Sequence, residues 1–198
     1  MTETKTRPAR VACAPGEKVI DPAQWTGAEL KQSQDWIHHL TDDEIADLDA
    51  AIHGVEAAGL DIMDISRDSF PLPVFGPALA RIRERLLNGL GLTLIRGFPI
   101  KNYNRAQCAA AFFGIGSYLG RAVSQNARGH VLGHVKAVTD ADYNDVANAG
   151  VRGYQTKVNQ RFHADSCDIV GLMCLQTPKF GGTSSVVSTV AVHNEMLA

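Results

Sequence analysis

The chain has 198 residues, is 45% hydrophobic and carries a formal net charge of −2. That length and apolar content suffice for the core of a single domain over 1–198. The near-neutral balance, without a basic run, gives no electrostatic footprint for nucleic acid or for an anionic membrane surface, and no apolar stretch approaches the ~20 residues of a bilayer span.

In chain order, 1–20 is polar at its start (MTETKTRPAR) and reads as a flexible lead without the apolar core of a secretory signal. The segment 21–40 holds Trp25 and Trp36, which suit a short arm packed on the body. Thr41-Asp42-Asp43-Glu44 is a capping box. Ile45, Leu48, Ile52 and Val55 follow at three- and four-residue spacing, so a helix with one apolar stripe is expected to end near Gly59, with His53 on its surface. A second helix is expected from Pro77 to Leu87, with Leu79, Ile82 and Leu86 inward and Gly89 and Gly91 closing it. Leu92 to Phe98 reads as a core strand, and Asn104 to Leu119 as a third helix capped by Asn104 and stopped by Gly120.

The stretch from Arg121 to Gly153 is rich in glycine and polar residues, with one strand expected at Val131 to Val138. It fits a substrate lid or a plain long connection equally well. His130 and His134 have the i, i+4 spacing of a helical metal pair, but Gly129 and Gly133 argue against a helix there, which favours surface or hydrogen-bonded histidines. Cys13, Cys108, Cys167 and Cys174 form no CxxC pair, so free thiols in a reducing cytoplasm are expected. Cys167, two residues past Asp165, reads as an ordinary small buried residue rather than a metal ligand.

The chemistry-bearing stretch is Arg161-Phe162-His163-Ala164-Asp165-Ser166. On an extended strand alternate side chains share a face, so the His163 imidazole and the Asp165 carboxylate would converge. One His and one carboxylate are two-thirds of the facial triad of non-haem Fe(II) oxygenases. By itself the pair is a short motif that recurs by chance, and its setting is more specific. Ile169 to Leu175 is a continuous apolar run suited to a buried strand. Thr177 to Gly182 reads as a turn, and Thr183 to Val190 as the returning strand.

The FHAD motif, the LMCLQTPKFGGTSSVVST segment and the following VHNEML together resemble the TauD/TfdA family of Fe(II)/2-oxoglutarate-dependent dioxygenases. Looser likeness runs upstream through LTLIRGFPI, DWIHHLTDDEIADLDAAI and WTGAEL. The resemblance implies an α+β fold, a double-stranded β-helix (jelly roll) with flanking helices. It implies hydroxylation of a small-molecule substrate by O2, coupled to conversion of 2-oxoglutarate to succinate and CO2. His163 and Asp165 would be the Fe(II) ligands. Ser184, where relatives often carry Thr, and its neighbour Thr183 would meet the distal carboxylate of 2-oxoglutarate. Asn159 falls where some relatives touch substrate, although an amide in an exposed loop explains it as well.

In the family a second His and an Arg lie far downstream of the first pair. Here His193 is the only later His, in a helix start expected to be capped by Thr189. The resemblance therefore casts 1–198 as the N-terminal part of such a domain, incomplete at its C-terminus and inactive alone, with exposed strand edges that would favour disorder or association, a homo-oligomer being one form of it. Two other readings stand beside it. One is a family member that keeps the fold as a ligand-binding or interaction module. The other is an unrelated His-x-Asp sandwich such as a cupin, which usually offers further His on the same strand, where this chain has Phe162, Ala164 and Ser166.

Overall fold

Residues 13–126, 129–141, 144–145 and 150–198 are described by the structure, a computed structural model. They form five α-helices and a two-stranded parallel sheet, with three short 3-10 turns at Ile62–Asp64, Ile100–Asn102 and Gly153–Gln155. In chain order the elements are α1 (Gly27–Gln32), β1 (Ile37–His39), α2 (Asp42–Ala57), α3 (Gly76–Asn88), β2 (Leu94–Arg96), α4 (Arg105–Leu119) and α5 (Thr189–Met196). Among the described residues no helix is long and apolar enough to cross a membrane.

Helix starts follow local capping chemistry. Thr26, Thr41 and Asn104 each accept an N3 amide, from Glu29, Glu44 and Gln107, and each of those side chains returns to the cap's own amide. Three capping boxes thus satisfy amides that a helix leaves unpaired. Helix α3 opens differently. Its N-cap, Phe75, has no capping side chain, and Asp47 of α2 instead accepts the amides of Val74 at 3.0 Å and Phe75 at 2.9 Å. A carboxylate there also opposes the positive end of the helix dipole. The far end of α4 is closed by arginines. Arg67 donates to the Ser117 and Tyr118 carbonyls and Arg83 to that of Leu119, all at 3.0 Å.

The core lies between α2, α3 and α4. Leu48, Ile52, Phe70, Phe75 and Leu79 are fully buried, with Val55, Ile82 and Ala111 around them. This is the stripe expected on α2 and α3, except that Ile45 and Leu86 are only half-buried while Glu44 is buried. Glycine lets α4 approach. A Cβ on Gly114 would stand 2.5 Å from the Phe70 ring, so the helix backbone itself packs on that ring. Beside it the Tyr118 hydroxyl accepts the Leu72 amide at 2.8 Å and donates to the Phe70 carbonyl at 3.1 Å, fixing the loop that carries Phe70.

Strand β1 pairs β2 with Ile37 opposite Leu94 and His39 opposite Arg96, and α2 and α3 form the crossover that a parallel pair needs. The strand expected at Leu92 to Phe98 is therefore present as β2, in shorter form. The strands expected at Val131 to Val138, Ile169 to Leu175 and Thr183 to Val190 are absent from the structure. A strand persists only where neighbours take up its amides and carbonyls. The first segment finds only isolated bonds to Tyr154 and Gln155, and the other two have no ladder among the described residues. Val170, Leu172, Val186 and Val187 are exposed in consequence. The last two residues expected in the returning strand, Thr189 and Val190, are instead the start of α5, whose cap is Ser188 rather than Thr189. The jelly roll expected from the sequence is not assembled by these elements.

The arm expected at 21–40 does pack on the body. Trp25 is buried and its indole donates to the Leu90 carbonyl at 3.0 Å. Val19, within the segment read as a lead, is clasped by the buried Asn194 of α5. Its amide donates to Oδ1 at 2.8 Å and its carbonyl accepts from Nδ2 at 2.9 Å.

Two predictions follow from this packing. Gly114→Ala forces a methyl into the Phe70 ring and is expected to cost about 1–3 kcal/mol in urea denaturation, the range for overpacking a well-filled core. Shrinking Phe70 to Leu in the same chain should recover part of that loss, and additive losses would reject the contact. The second concerns Tyr103, whose hydroxyl donates to Asp49 at 2.9 Å. Burial, then the hydrogen bond and charge of Asp49, push its pKa up to about 12, against ~10 in an unfolded chain. The folded state then holds this proton more tightly, so stability is intact below about pH 10 and falls as pH rises toward about 12. Tyr103→Phe should flatten the alkaline decline relative to the unsubstituted chain, and parallel profiles would exclude the effect.

Candidate metal centre

The chain reaches the His-x-Asp stretch through an irregular segment that is tied to itself. Lys136 donates its amide to the Tyr154 carbonyl at 3.1 Å, and Val138 and Thr139 donate theirs to Gln155 at 2.8 and 3.2 Å. At the end of this seam the Lys157 ammonium meets the Asp140 carboxylate at 2.7 Å. That bond holds the Asp140 carboxyl below its ordinary value and pushes the Lys157 ammonium up. Both groups are exposed, so the pair guides the loop more than it stabilises the fold. His130, considered as a metal ligand with His134, accepts the Asn126 amide through Nδ1 at 3.0 Å, and both histidines are exposed.

Residues 159–165 are exposed and lie outside any strand. Asn159 opens the stretch on an exposed loop. The strand that was expected to set His163 and Asp165 on one face is therefore absent, and a local bond orients the histidine instead. His163 Nδ1 lies 2.8 Å from the Arg161 carbonyl oxygen. A carbonyl only accepts, so Nδ1 carries the hydrogen and a neutral ring keeps its lone pair on Nε2. After Asp165 the chain turns tightly, with the Cys167 amide on the Asp165 carbonyl at 2.9 Å. The Cys167 thiol donates to the Ile169 carbonyl at 3.5 Å, and the residue is exposed rather than buried as its small size suggested. All four cysteines are free thiols, and burial raises the pKa of Cys108.

Contact with the helical core resumes at Gly171, where a Cβ would come 3.2 Å from the Phe112 ring of α4. The turn beyond it needs its glycines. Gly181 and Gly182 have φ of +66° and +67°, and a Cβ on Gly182 would stand 2.5 Å from Pro178 Cγ. Thr183 and Ser184 follow this turn, both exposed. The chain then returns to the body at Ser188, which is buried, caps α5 and donates its hydroxyl to the Ala23 carbonyl. His193 lies on α5, exposed.

The donor set fits part of an Fe(II) centre. An imidazole with Nε2 available and a carboxylate two residues on are the ligand types that a non-haem iron takes, and a hydrogen-bonded second nitrogen is usual for ligating histidines. Among the described residues no group of three or more His, Cys, Asp or Glu is gathered that could hold a metal, so the pair has no third partner there. Sequence reasoning missed the Arg161 carbonyl and the Gly171–Phe112 contact. Neither a main-chain acceptor nor a contact 59 residues apart along the chain leaves a mark in residue type or spacing.

Comparison with known proteins extends beyond the site. Residues 54–198 match the family described as "Taurine catabolism dioxygenase TauD, TfdA family". The chain is similar to FR-33289 synthase of Streptomyces rubellomurinus, at 30% identity over 173 residues, 87% of this chain and 50% of that protein. It is also similar to the taurine hydroxylase-like protein SAT17 of Stachybotrys chartarum, at 30% identity over 183 residues, 91% of this chain and 48% of that protein. The chain thus spans about half the length of these curated relatives. Because the family match, over 54–198, takes in α3, β2 and α4 as well as His163 and Asp165, the chain belongs to the TauD/TfdA family of dioxygenases.

Proposed function

We propose that this chain contributes His163 and Asp165 as ligands to an Fe(II) centre, and that the whole protein is a 2-oxoglutarate-dependent dioxygenase. The reaction adds one oxygen atom of O2 to a C–H bond of a small molecule, and the other converts 2-oxoglutarate to succinate with loss of CO2. The observation that carries the reading is the His163 ring, whose Nδ1 is engaged by the Arg161 carbonyl beside Asp165. Membership of the family supports it.

In this reading each side chain has a separate task. His163 gives a neutral nitrogen donor through Nε2, and Asp165 gives an anionic oxygen donor that offsets part of the metal's charge. Fe(II), when bound, supplies the redox chemistry that O2 requires. The Thr183 and Ser184 hydroxyls, carried just past the Gly181–Gly182 turn, donate to a carboxylate of 2-oxoglutarate. The Asn159 amide offers a donor and an acceptor to the small-molecule substrate. The jelly-roll fold belongs to the same proposal, as the setting in which these segments would lie together.

The test is calorimetric binding of Co(II), standing in for Fe(II), to the chain. We expect binding in the unsubstituted chain and none in His163→Ala, because a lone exposed carboxylate competes poorly with water for a transition metal. Unchanged affinity in His163→Ala would sink the assignment. In the Co(II)-loaded whole protein, Ser184→Ala should weaken 2-oxoglutarate about 10- to 100-fold, the loss of one hydrogen bond to a charged group. Equal affinity in that variant would remove Ser184 from the site. Binding of 2-oxoglutarate by a whole protein that produces no succinate would favour the ligand-binding module instead.

A further inference from the structure

We infer that the main-chain carbonyl of Arg161 is a positioning group for the metal centre, fixing the tautomer of His163 before any metal arrives. The inference rests on the metal-ligand reading of His163. It adds a partner that no residue pattern names.

Four histidines of this chain have ring hydrogen bonds among the described residues, and their partners differ in kind. His38 donates through Nε2 to the Glu44 carboxylate, and His53 faces Glu56 and Asp49 with its two nitrogens. In both the ring's partners are side-chain carboxylates, placed by other elements or by the helix rather than by the adjoining main chain. His130 accepts an amide hydrogen from Asn126, which occupies a lone pair. His163 alone of the four donates through Nδ1 to a neutral carbonyl, at 2.8 Å. That partner, which can only accept, selects the Nδ1–H form and leaves the lone pair of a neutral ring on Nε2.

The carbonyl lies two residues before the ring it holds, so the device is local. It works on an exposed loop without a strand to orient the side chain. It also survives any side-chain change at Arg161, which explains why residue types give no sign of it. An unbound imidazole would instead divide its population between two tautomers, one of which must move its proton before it can ligate through Nε2.

The test reads the proton directly. The metal-free chain is labelled with 15N-histidine, and the tautomer of His163 is read from two-bond 15N–1H correlations at a pH where the ring is neutral. We expect His163 as the Nδ1–H form, with Nε2 at the shift of an unprotonated nitrogen. An Nε2–H form, or the averaged shifts of free histidine, would overturn the inference. A second chain carries Nδ1-methylhistidine at position 163, which lacks the hydrogen given to Arg161 but keeps the Nε2 lone pair. Its Co(II) affinity should fall about 10- to 100-fold, the usual loss when a ligand's outer partner is removed. Affinity equal to that of the unsubstituted chain would overturn the positioning role. Co(II) binding that survives His163→Ala would remove the ligand assignment while leaving the tautomer result standing, so the two failures are distinguishable.

Discussion

The structure depends on the Glu44 carboxylate. It is buried at the point where β1, the start of α2 and the start of α3 meet, and so polar a group is tolerated there because its oxygens are hydrogen-bonded. His38 of β1 donates to both oxygens through Nε2, at 2.9 and 3.1 Å, and the Thr41 amide donates to Oε2 at 3.0 Å. The His38 ring stacks on Phe75, with centroids 5.5 Å apart. One side chain therefore completes the cap of α2, holds the sheet to the helices and seats the aromatic residue that opens α3. Removing it would leave the part-buried His38 ring and the Thr41 amide without their shared acceptor.

Asp47, one turn along α2, caps α3 from outside, so α2 organises both neighbours through carboxylates rather than through its apolar stripe alone. Helix α4 then closes over the pair, its glycine on Phe70 and its last carbonyls held by Arg67 and Arg83. The opposite face of α4 is where the later chain rests, at Phe112 and Gly171. The line from the core to the chain that follows His163 and Asp165 is short. It runs through one helix and one ring.

The helices were legible because each is announced locally. The boxes at Thr41 and Asn104 and the spacing of Leu48, Ile52 and Val55 act within a single turn or two. Helix α1 carries the same signal in Thr26 and Glu29, so the sequence contained it even though the arm was read without it. Strand β1 was not legible. A three-residue strand has too few positions to show alternation, and its partner β2 lies 57 positions away in register. The runs at 169–175 and 183–190 erred in the other direction. Their composition is that of strands, but composition cannot supply the neighbour that a ladder needs, and α5 claimed the end of the second run through the Ser188 cap. At the site, His163 and Asp165 were legible as ligand types and Gly181–Gly182 as a turn. The carbonyl that holds the imidazole was not.

The segment carrying His163 and Asp165 is held at its ends and, along its length, by the contact of Gly171 with Phe112. Upstream, the seam between Lys136–Thr139 and Tyr154–Gln155 sets where the stretch begins. Downstream, Ser188 and Asn194 tie α5 to Ala23 and Val19, and with Trp25 they anchor the arm to the body. Between those anchors and apart from the Gly171–Phe112 contact, 159–187 is shaped by short-range devices: the Arg161–His163 bond, the Asp165–Cys167 turn and the two left-handed glycines. Such devices fix local geometry and leave the larger placement open, because few contacts would have to break for the segment to move as a unit. The orientation of the His163 ring and the turn at Gly181–Gly182 are both set locally, within a few residues of each.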